Sequence, residues 1–206
     1  MLGLKAVLYD AMCRRFERTH GARLRRAQLA AVRGRVLEIG AGTGANLPHY
    51  PDGVWELVLT EPSAAMLRRL RRRVAARGRG ETVVQAQAQA LPFNDGSFDT
   101  AVATVVLCSV PNQAEALREV RRVLRPGGQF LFAEHVRSSH PKRARWQDRL
   151  DRPWSVIADG CHPNRETLAA IEAAGFVVQE IERSELPAGP RLVRPYILGR
   201  AVAPSA

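Results

Sequence analysis

Val36-Leu-Glu-Ile-Gly-Ala-Gly-Thr-Gly-Ala-Asn46 is the stretch that decides the fold. The short apolar run Arg35-Val-Leu-Glu-Ile39 reads as a strand that stops at a glycine-rich turn over residues 40–44. Glycines at 40, 42 and 44 allow a tight strand-to-helix turn and let a ligand lie against bare backbone. The next apolar run, Trp55-Glu-Leu-Val-Leu-Thr60, leads to Glu61. That is where a nucleotide-binding α/β unit places the carboxylate that grips a ribose, about twenty residues past the turn. Two other readings of the turn exist. Gly40, Gly42 and Ala45 satisfy the dinucleotide pattern, and a glycine turn can also serve packing alone. The early third glycine at 44, and Glu38 two residues before the first, set the stretch apart from the dinucleotide pattern. A nicotinamide enzyme also usually needs a substrate domain, which 206 residues do not supply.

Working outward, residues 4–33 carry Leu4, Val7, Leu8, Ala11, Met12 and Phe16 at helical spacing, with Gly21 expected to break the segment in two. A helix is expected from about Ser63, its N-cap, to Arg77. A third strand is expected near Thr82–Ala86, and a central one, buried on both faces, at Phe98–Leu107. A helix over about Asn112–Leu124 should stop at Arg125-Pro-Gly-Gly128, before the strand Gln129–Glu134. Residues 140–174 read as helical, with interruptions at Pro153 and around Cys161–Pro163. Gly175–Arg183 and Leu192–Val202 read as a closing hairpin around Pro187, Gly189 and Pro190. Strands alternating with helices predict an α/β, Rossmann-like doubly wound sheet, mostly parallel with a C-terminal antiparallel hairpin. The expected organisation is a helical segment over 1–34, one domain over 35–202, and a tail at 203–206.

Composition narrows the function classes. The chain is 46% hydrophobic and 25% charged, as in an ordinary globular protein. It has no apolar run of about eighteen residues that would span a bilayer. Lys5 and Asp10 interrupt the start, so no secretory signal is expected. Cys13, Cys108 and Cys161 are odd in number and far apart, which is neither a disulfide framework nor zinc spacing. A cytoplasmic location and no metal follow as expectations. The net charge is +11, yet only Lys5 and Lys142 among the 31 basic residues are lysine. Arginine bias in an Ala-rich chain fits genome-wide base composition as well as binding. The clusters before residue 36 and over Arg68–Arg79 are read mainly as solvated helix faces, and no nucleic-acid partner is expected. The basic N-terminal helices suit peripheral contact with an anionic membrane.

Three blocks carry a resemblance: Leu37-Glu-Ile-Gly-Ala-Gly-Thr-Gly44, Leu91-Pro-Phe-Asn-Asp-Gly-Ser-Phe-Asp99 and Leu117-Arg-Glu-Val-Arg-Arg-Val-Leu-Arg-Pro-Gly-Gly128. In this order and spacing the chain resembles the class I S-adenosylmethionine-dependent methyltransferases, in the small-molecule branch that includes the ubiquinone and menaquinone enzymes. The resemblance implies S-adenosylmethionine as cofactor. Glu38 would orient the glycine loop and reach the methionyl amine. Gly40, Ala41, Gly42, Gly44 and Asn46 would form the loop behind the methionine part. Glu61 would accept from both ribose hydroxyls, and Pro62 and Met66 would lie beside the adenine. Gln87, followed by Ala88, stands where such enzymes often carry an acid for the adenine amino group. Thr104 would line the methyl end.

Further blocks, Thr104-Val-Val-Leu-Cys-Ser-Val110, Glu134-His-Val136, Asp159-Gly-Cys161 with Arg165, and Leu192-Val-Arg-Pro195, are similar to the methyltransferase-like enzymes that methylate small alkyl thiols. Those enzymes begin with a hydrophobic membrane anchor, which is not expected of this sequence. A thiol acceptor implies His135 as proton acceptor or anion stabiliser, Asp159 as its orienting group and Arg194 as a source of positive charge. The alternatives are O-, C- or N-methylation of a lipid-like acceptor such as a quinone or phospholipid amine, and a basic nucleic-acid-binding protein. Against the last, Val106-Leu-Cys-Ser109 stands where base-amino methyltransferases carry Asn/Asp-Pro-Pro-Tyr/Phe.

Overall fold

The structure, a computed structural model, describes residues 21–204. Seven strands form one sheet: β1 Arg35–Ile39, β2 Glu56–Thr60, β3 Thr82–Val84, β4 Phe98–Thr104, β5 Leu124–His135, β6 Val177–Glu185 and β7 Pro195–Val202. Their order across the sheet is β3-β2-β1-β4-β5-β7-β6. The first five run parallel, while β7 lies antiparallel between β5 and β6. Among the described residues five α-helices lie between them: α1 Ala22–Leu29, α2 Ala64–Arg77, α3 Gln113–Val123, α4 Pro141–Ile157 and α5 Thr167–Ala173.

The core has two layers because successive strand residues face opposite ways. Leu37, Ala101, Phe130 and Phe132 pack with Leu117 and Val120 of α3 and Ile171 of α5. Their chain neighbours Val36, Val102 and Leu131 pack with Leu29 of α1 and Leu67 and Leu70 of α2. This explains the unbroken apolar run of β4, which serves both layers. Local signals set the helix ends. Ser63 Oγ accepts from the Met66 amide, Asn112 Oδ1 accepts from the Glu115 amide, and Gly78 closes α2 at φ +63°.

Several expectations need correction. The apolar stripe at residues 4–16 lies outside the described residues. Gly21 itself has helical angles (φ −60°, ψ −44°) ahead of α1, the residues before it lie outside the described ones, and α1 ends at Leu29 rather than 33. β3 stops at Val84, two residues early. β4 ends at Thr104, not Leu107, because Val105 turns to φ +57° and the next amides go to a side chain instead of a strand. Arg125-Pro-Gly-Gly128 does not delay the following strand. β5 begins at Leu124 opposite Phe98, and the four residues are looped out before Gln129 resumes pairing at Thr100. α4 runs through Pro153. The N–H that proline lacks would have served the carbonyl of Arg149, a residue on the exposed face of the helix.

Candidate active site

The carboxyl ends of β1, β2, β4 and β5 converge where β1 and β4 lead off in opposite directions, the position at which open α/β sheets bind ligands. After β1 the chain turns through Gly40, Gly42 and Gly44, all at positive φ (+59°, +58°, +88°). Only one of the three faces empty space. A Cβ placed on Gly40 would lie 2.7 Å from both methyls of Val106, and one on Gly44 would lie 2.6 Å from Leu47. A Cβ on Gly42 would have nothing within 4 Å.

Glu61, buried at the end of β2, holds this loop. Its Oε2 accepts from the Gly42 amide at 2.9 Å and its Oε1 from the Ser63 amide at 2.8 Å. Burial raises its pKa, and the two amides counter that in part. Each carboxylate oxygen can accept two hydrogen bonds, so one acceptor position per oxygen is left for a ligand hydroxyl. An open cradle at Gly42 above a carboxylate with two spare acceptor positions fits the methionine and ribose parts of S-adenosylmethionine. Pro62 is exposed and Met66 half-buried one helical turn on. Gln85, rather than Gln87, reaches this stretch, donating to the Pro62 carbonyl. Gln87 is exposed beside buried Ala88.

A second network ties Glu38 to β4. Asn46 Nδ2 donates to Glu38 Oε1 (3.0 Å) and to Thr104 Oγ1 (2.9 Å), and the Tyr50 hydroxyl donates to Glu38 Oε2 (2.6 Å). Thr104 in turn donates to Gln28 on α1, and Arg25 donates to Asn46. Burial raises the pKa of Glu38, opposed by Tyr50, Arg25 and Asn46, and it pushes the Tyr50 phenol well up. Tyr50, Gln28 and Arg25 had no signal in the sequence. Each lies in a segment with ordinary helix or loop composition, and each matters only through partners distant in the chain.

The turn after β4 is built around Glu134, which is fully buried. Its Oε1 accepts from the amides of Val106 (2.9 Å) and Leu107 (3.0 Å), and its Oε2 from Cys108 (3.3 Å). Arg165 grips the same turn by its carbonyls, donating to Leu107 and Val110. Desolvation raises Glu134 to about 7 against the pull of those amides. Val105, β-branched at φ +57°, is a backbone outlier that this clamp keeps in place. Neither Glu134 nor Arg165 stood out as a functional residue in the sequence beyond the blocks that contain them.

Among the described residues no hydrogen bond or ion pair links the three acceptor-side candidates to one another. His135 ends β5 beside Tyr196, ring centroids 6.2 Å apart. Its Nδ1 is buried without a partner among the described residues, and the backbone of Val193 hydrogen-bonds the ring. Burial holds the imidazole at about 4, so it is neutral at pH 7. Asp159, at φ +52°, sits within electrostatic reach of Glu61 instead of holding His135. Arg194 follows Val193, but its Nε donates to the Gly189 carbonyl. Cys108 and Cys161 are buried, and Cys108 Sγ lies 3.4 Å from Ser109 Oγ. Trp146 is exposed and Trp154 half-buried. Among the described residues no cluster could hold a metal ion.

Comparison with known proteins gives a consistent result. A family model described as "Methyltransferase domain" matches residues 37–132. The human thiol S-methyltransferase TMT1A is 40% identical over 171 residues, 81% of this chain and 70% of that protein. The ubiquinone/menaquinone biosynthesis C-methyltransferase of Hahella chejuensis is 39% identical over 166 residues, 68% of this chain and 66% of its own. A SAM-dependent methyltransferase from Thermotoga maritima superposes with a TM-score of 0.69 at 21% identity, covering 96% of this chain and 95% of that one.

Proposed function

The chain belongs to the class I S-adenosylmethionine-dependent methyltransferases, and from that premise we propose that its acceptor is a small alkyl thiol, methylated on sulfur. The observation that carries this is the similarity to a thiol S-methyltransferase over 171 residues, which reaches well beyond the cofactor half matched by the family model. Gly42, Glu61 and the Glu38–Asn46–Thr104 network would hold the cofactor, with Pro62, Met66, Gln87 and Ala88 around the adenine. When bound, S-adenosylmethionine supplies a methyl carbon on a positively charged sulfur. Once the thiol has lost its proton, its sulfur would take the methyl carbon as the bond from that carbon to the cofactor's sulfur breaks, giving a thioether and S-adenosylhomocysteine.

The protein's part is then alignment and exclusion of water more than acid–base chemistry. His135 at about 4 is a weak base against a thiol near 8.5, a gap of roughly six kcal/mol. Its Nδ1 is buried without a partner among the described residues, so the ring is given no proton-transfer role. The thiolate would therefore form from the acceptor's own ionisation, and Arg165, which grips the turn after β4, and Arg194 are cations that would favour it. The test is a methyl-transfer assay over aliphatic thiols of graded pKa, with quinols and amines alongside. Turnover of thiols, rising with pH to each thiol's own pKa, is expected. Methylation of a quinol or amine with every thiol inert overturns it. C-methylation of a quinol is the second reading, favoured by the Hahella chejuensis relative.

A further inference from the structure

Helix α4 carries an outer face that the methyltransferase reading does not use. Trp146, Leu150, Val156 and Ile157 are exposed by 57%, 37%, 84% and 79%. At about 100° per residue, Trp146, Leu150, Pro153 and Ile157 fall within an arc of roughly 60°. The neighbouring arc holds Lys142, Arg145, Arg149 and Arg152, all exposed and without an ion pair to another described residue, with Val156 among them. No acid of the helix itself shares this side, and Glu185 of β6 reaches its margin only through Arg143. Asp148 and Asp151 lie on the opposite half, where they pair with Arg137 and His162.

Poor seating of the helix does not explain this exposure. Its inner face is fixed by Gln147, fully buried, whose Nε2 reaches the carbonyls of Val136, Pro163 and Leu192 and whose Oε1 accepts from the Ser138 amide. The outer face is thus a rigid apolar stripe with a row of cations along it. That is the composition of a helix lying in a membrane interface, aromatic and aliphatic groups in the acyl boundary and arginines at the headgroups. We propose that the outer face of α4 docks this enzyme on an anionic lipid surface. Charge selects this occupant. Residues 1–20, the one part of the chain long enough to cover the stripe, carry Lys5, Arg14, Arg15 and Arg18 against Asp10 and Glu17, a positive balance that the cationic row repels.

The docking face also borders the acceptor side. Two residues after Ile157 the chain reaches Asp159, near Glu61, and the His162 amide then donates to the Cys108 carbonyl on the turn after β4. An enzyme seated this way would draw its acceptor from the bilayer, which suits apolar acceptors of either chemistry considered above.

Co-sedimentation of the full chain with vesicles of phosphatidylcholine plus phosphatidylserine, and of phosphatidylcholine alone, tests the proposal. Binding to the anionic vesicles is expected, with loss at high salt. A blue shift of tryptophan emission should accompany it, absent in Trp146→Phe although that variant still binds. The exposed pair Trp146→Ser/Ile157→Ser should weaken partitioning at least about tenfold, and Arg145→Glu/Arg149→Glu by a similar factor. Equal binding to both vesicle types, or undiminished binding by either double variant, overturns the proposal. So does a Trp146 already shielded from a soluble quencher in the free full chain, which would mean that residues 1–20 cover the face.

Discussion

Replacing the three loop glycines one at a time with alanine should separate cofactor binding from stability. Every one of these positions has positive φ, so an added Cβ costs about 1–2 kcal/mol in backbone energy alone. At Gly42 that is the whole cost, because the new methyl meets nothing within 4 Å. At Gly40 the methyl would sit 2.7 Å from both methyls of Val106, whose amide is bound by Glu134 and so cannot easily yield. Overpacking of that kind adds about 1–3 kcal/mol. At Gly44 the obstacles are Leu47 at 2.6 Å and Leu70 at 2.9 Å, both buried. At roughly 2–4 °C per kcal/mol for a domain of this size, Gly42→Ala should melt about 2–8 °C low, and the other two distinctly lower.

Binding should rank the opposite way for the folded variants. The space at Gly42 is the cradle proposed for the cofactor, so its methyl should weaken S-adenosylhomocysteine by tenfold or more, about 1.4 kcal/mol. Calorimetric titration beside thermal melts reads both quantities. Gly42→Asn removes the remaining ambiguity. Asparagine tolerates the left-handed region better than alanine yet is larger, so it should melt higher than Gly42→Ala and bind more weakly. A Gly42→Ala protein that binds S-adenosylhomocysteine like the parent would refute the placement of the cofactor. A Gly40→Ala protein as stable as Gly42→Ala would refute the packing argument.

Glu61→Gln keeps the shape of the side chain but removes the charge and sets an N–H₂ against one of two amides; S-adenosylhomocysteine affinity should drop about 10- to 100-fold, and an affinity within twofold of the parent would sink the role given to Glu61. Glu134 and His135 should show opposite pH linkage. The folded pKa of Glu134 is raised to about 7, so its contribution to stability is greatest below the unfolded value near 4.5 and is lost as pH rises to 7. That of His135 is depressed to about 4, so its contribution is present above 6.5 and lost as pH falls to 4. Each amounts to about 3 kcal/mol, and over pH 4.5–6.5 the two nearly cancel. Melting temperature across that range should therefore rise on acidification in His135→Gln and fall in Glu134→Gln, and parallel profiles in both variants would contradict the burial of these groups.

How legible each element was depended on how local its cause is. β1 was read to the residue, because its end is set by Gly40 next to it in the chain. α2 and α3 were read within one residue at their starts, because Ser63 and Asn112 cap them through amides three positions on. The end of β4 was misread by three residues. Nothing between 98 and 107 signals the change, and the cause is a carboxylate 28 positions away that collects the amides of Val106 and Leu107 and their neighbour. Pro153 and Arg125–Gly128 were read as breaks because the rules for them assume that no solvent or looped-out bulge makes up the loss. Among candidate site residues the same division holds. Glu38, Gly42, Asn46 and Glu61 came from a contiguous motif and its next strand, and the structure gathers them. His135, Asp159 and Arg194 came from separate blocks, and no hydrogen bond or ion pair among the described residues links them.

The contacts that escaped the sequence also join the two halves of the site. Gly40 lacks a Cβ in order to clear Val106, and Val106 is held by Glu134. Thr104, the last residue of β4, is hydrogen-bonded to Asn46, which is bonded to Glu38 on the cofactor side. The glycine loop and the turn after β4 therefore form one packed unit, and a change in that turn is felt by the cofactor loop. A close-packed unit of this kind does not deform by degrees, so the freedom to suit different acceptors has to lie elsewhere. Two stretches border the acceptor side without entering the unit's hydrogen-bond network through their side chains: Val156–Gly160, at the end of α4, and Leu186–Arg194, ahead of β7. Substitutions there are expected to alter which acceptor is admitted while Glu38, Gly42 and Glu61 keep their geometry; an acceptor panel run on such variants checks this, and an unchanged preference would return specificity to the turn after β4.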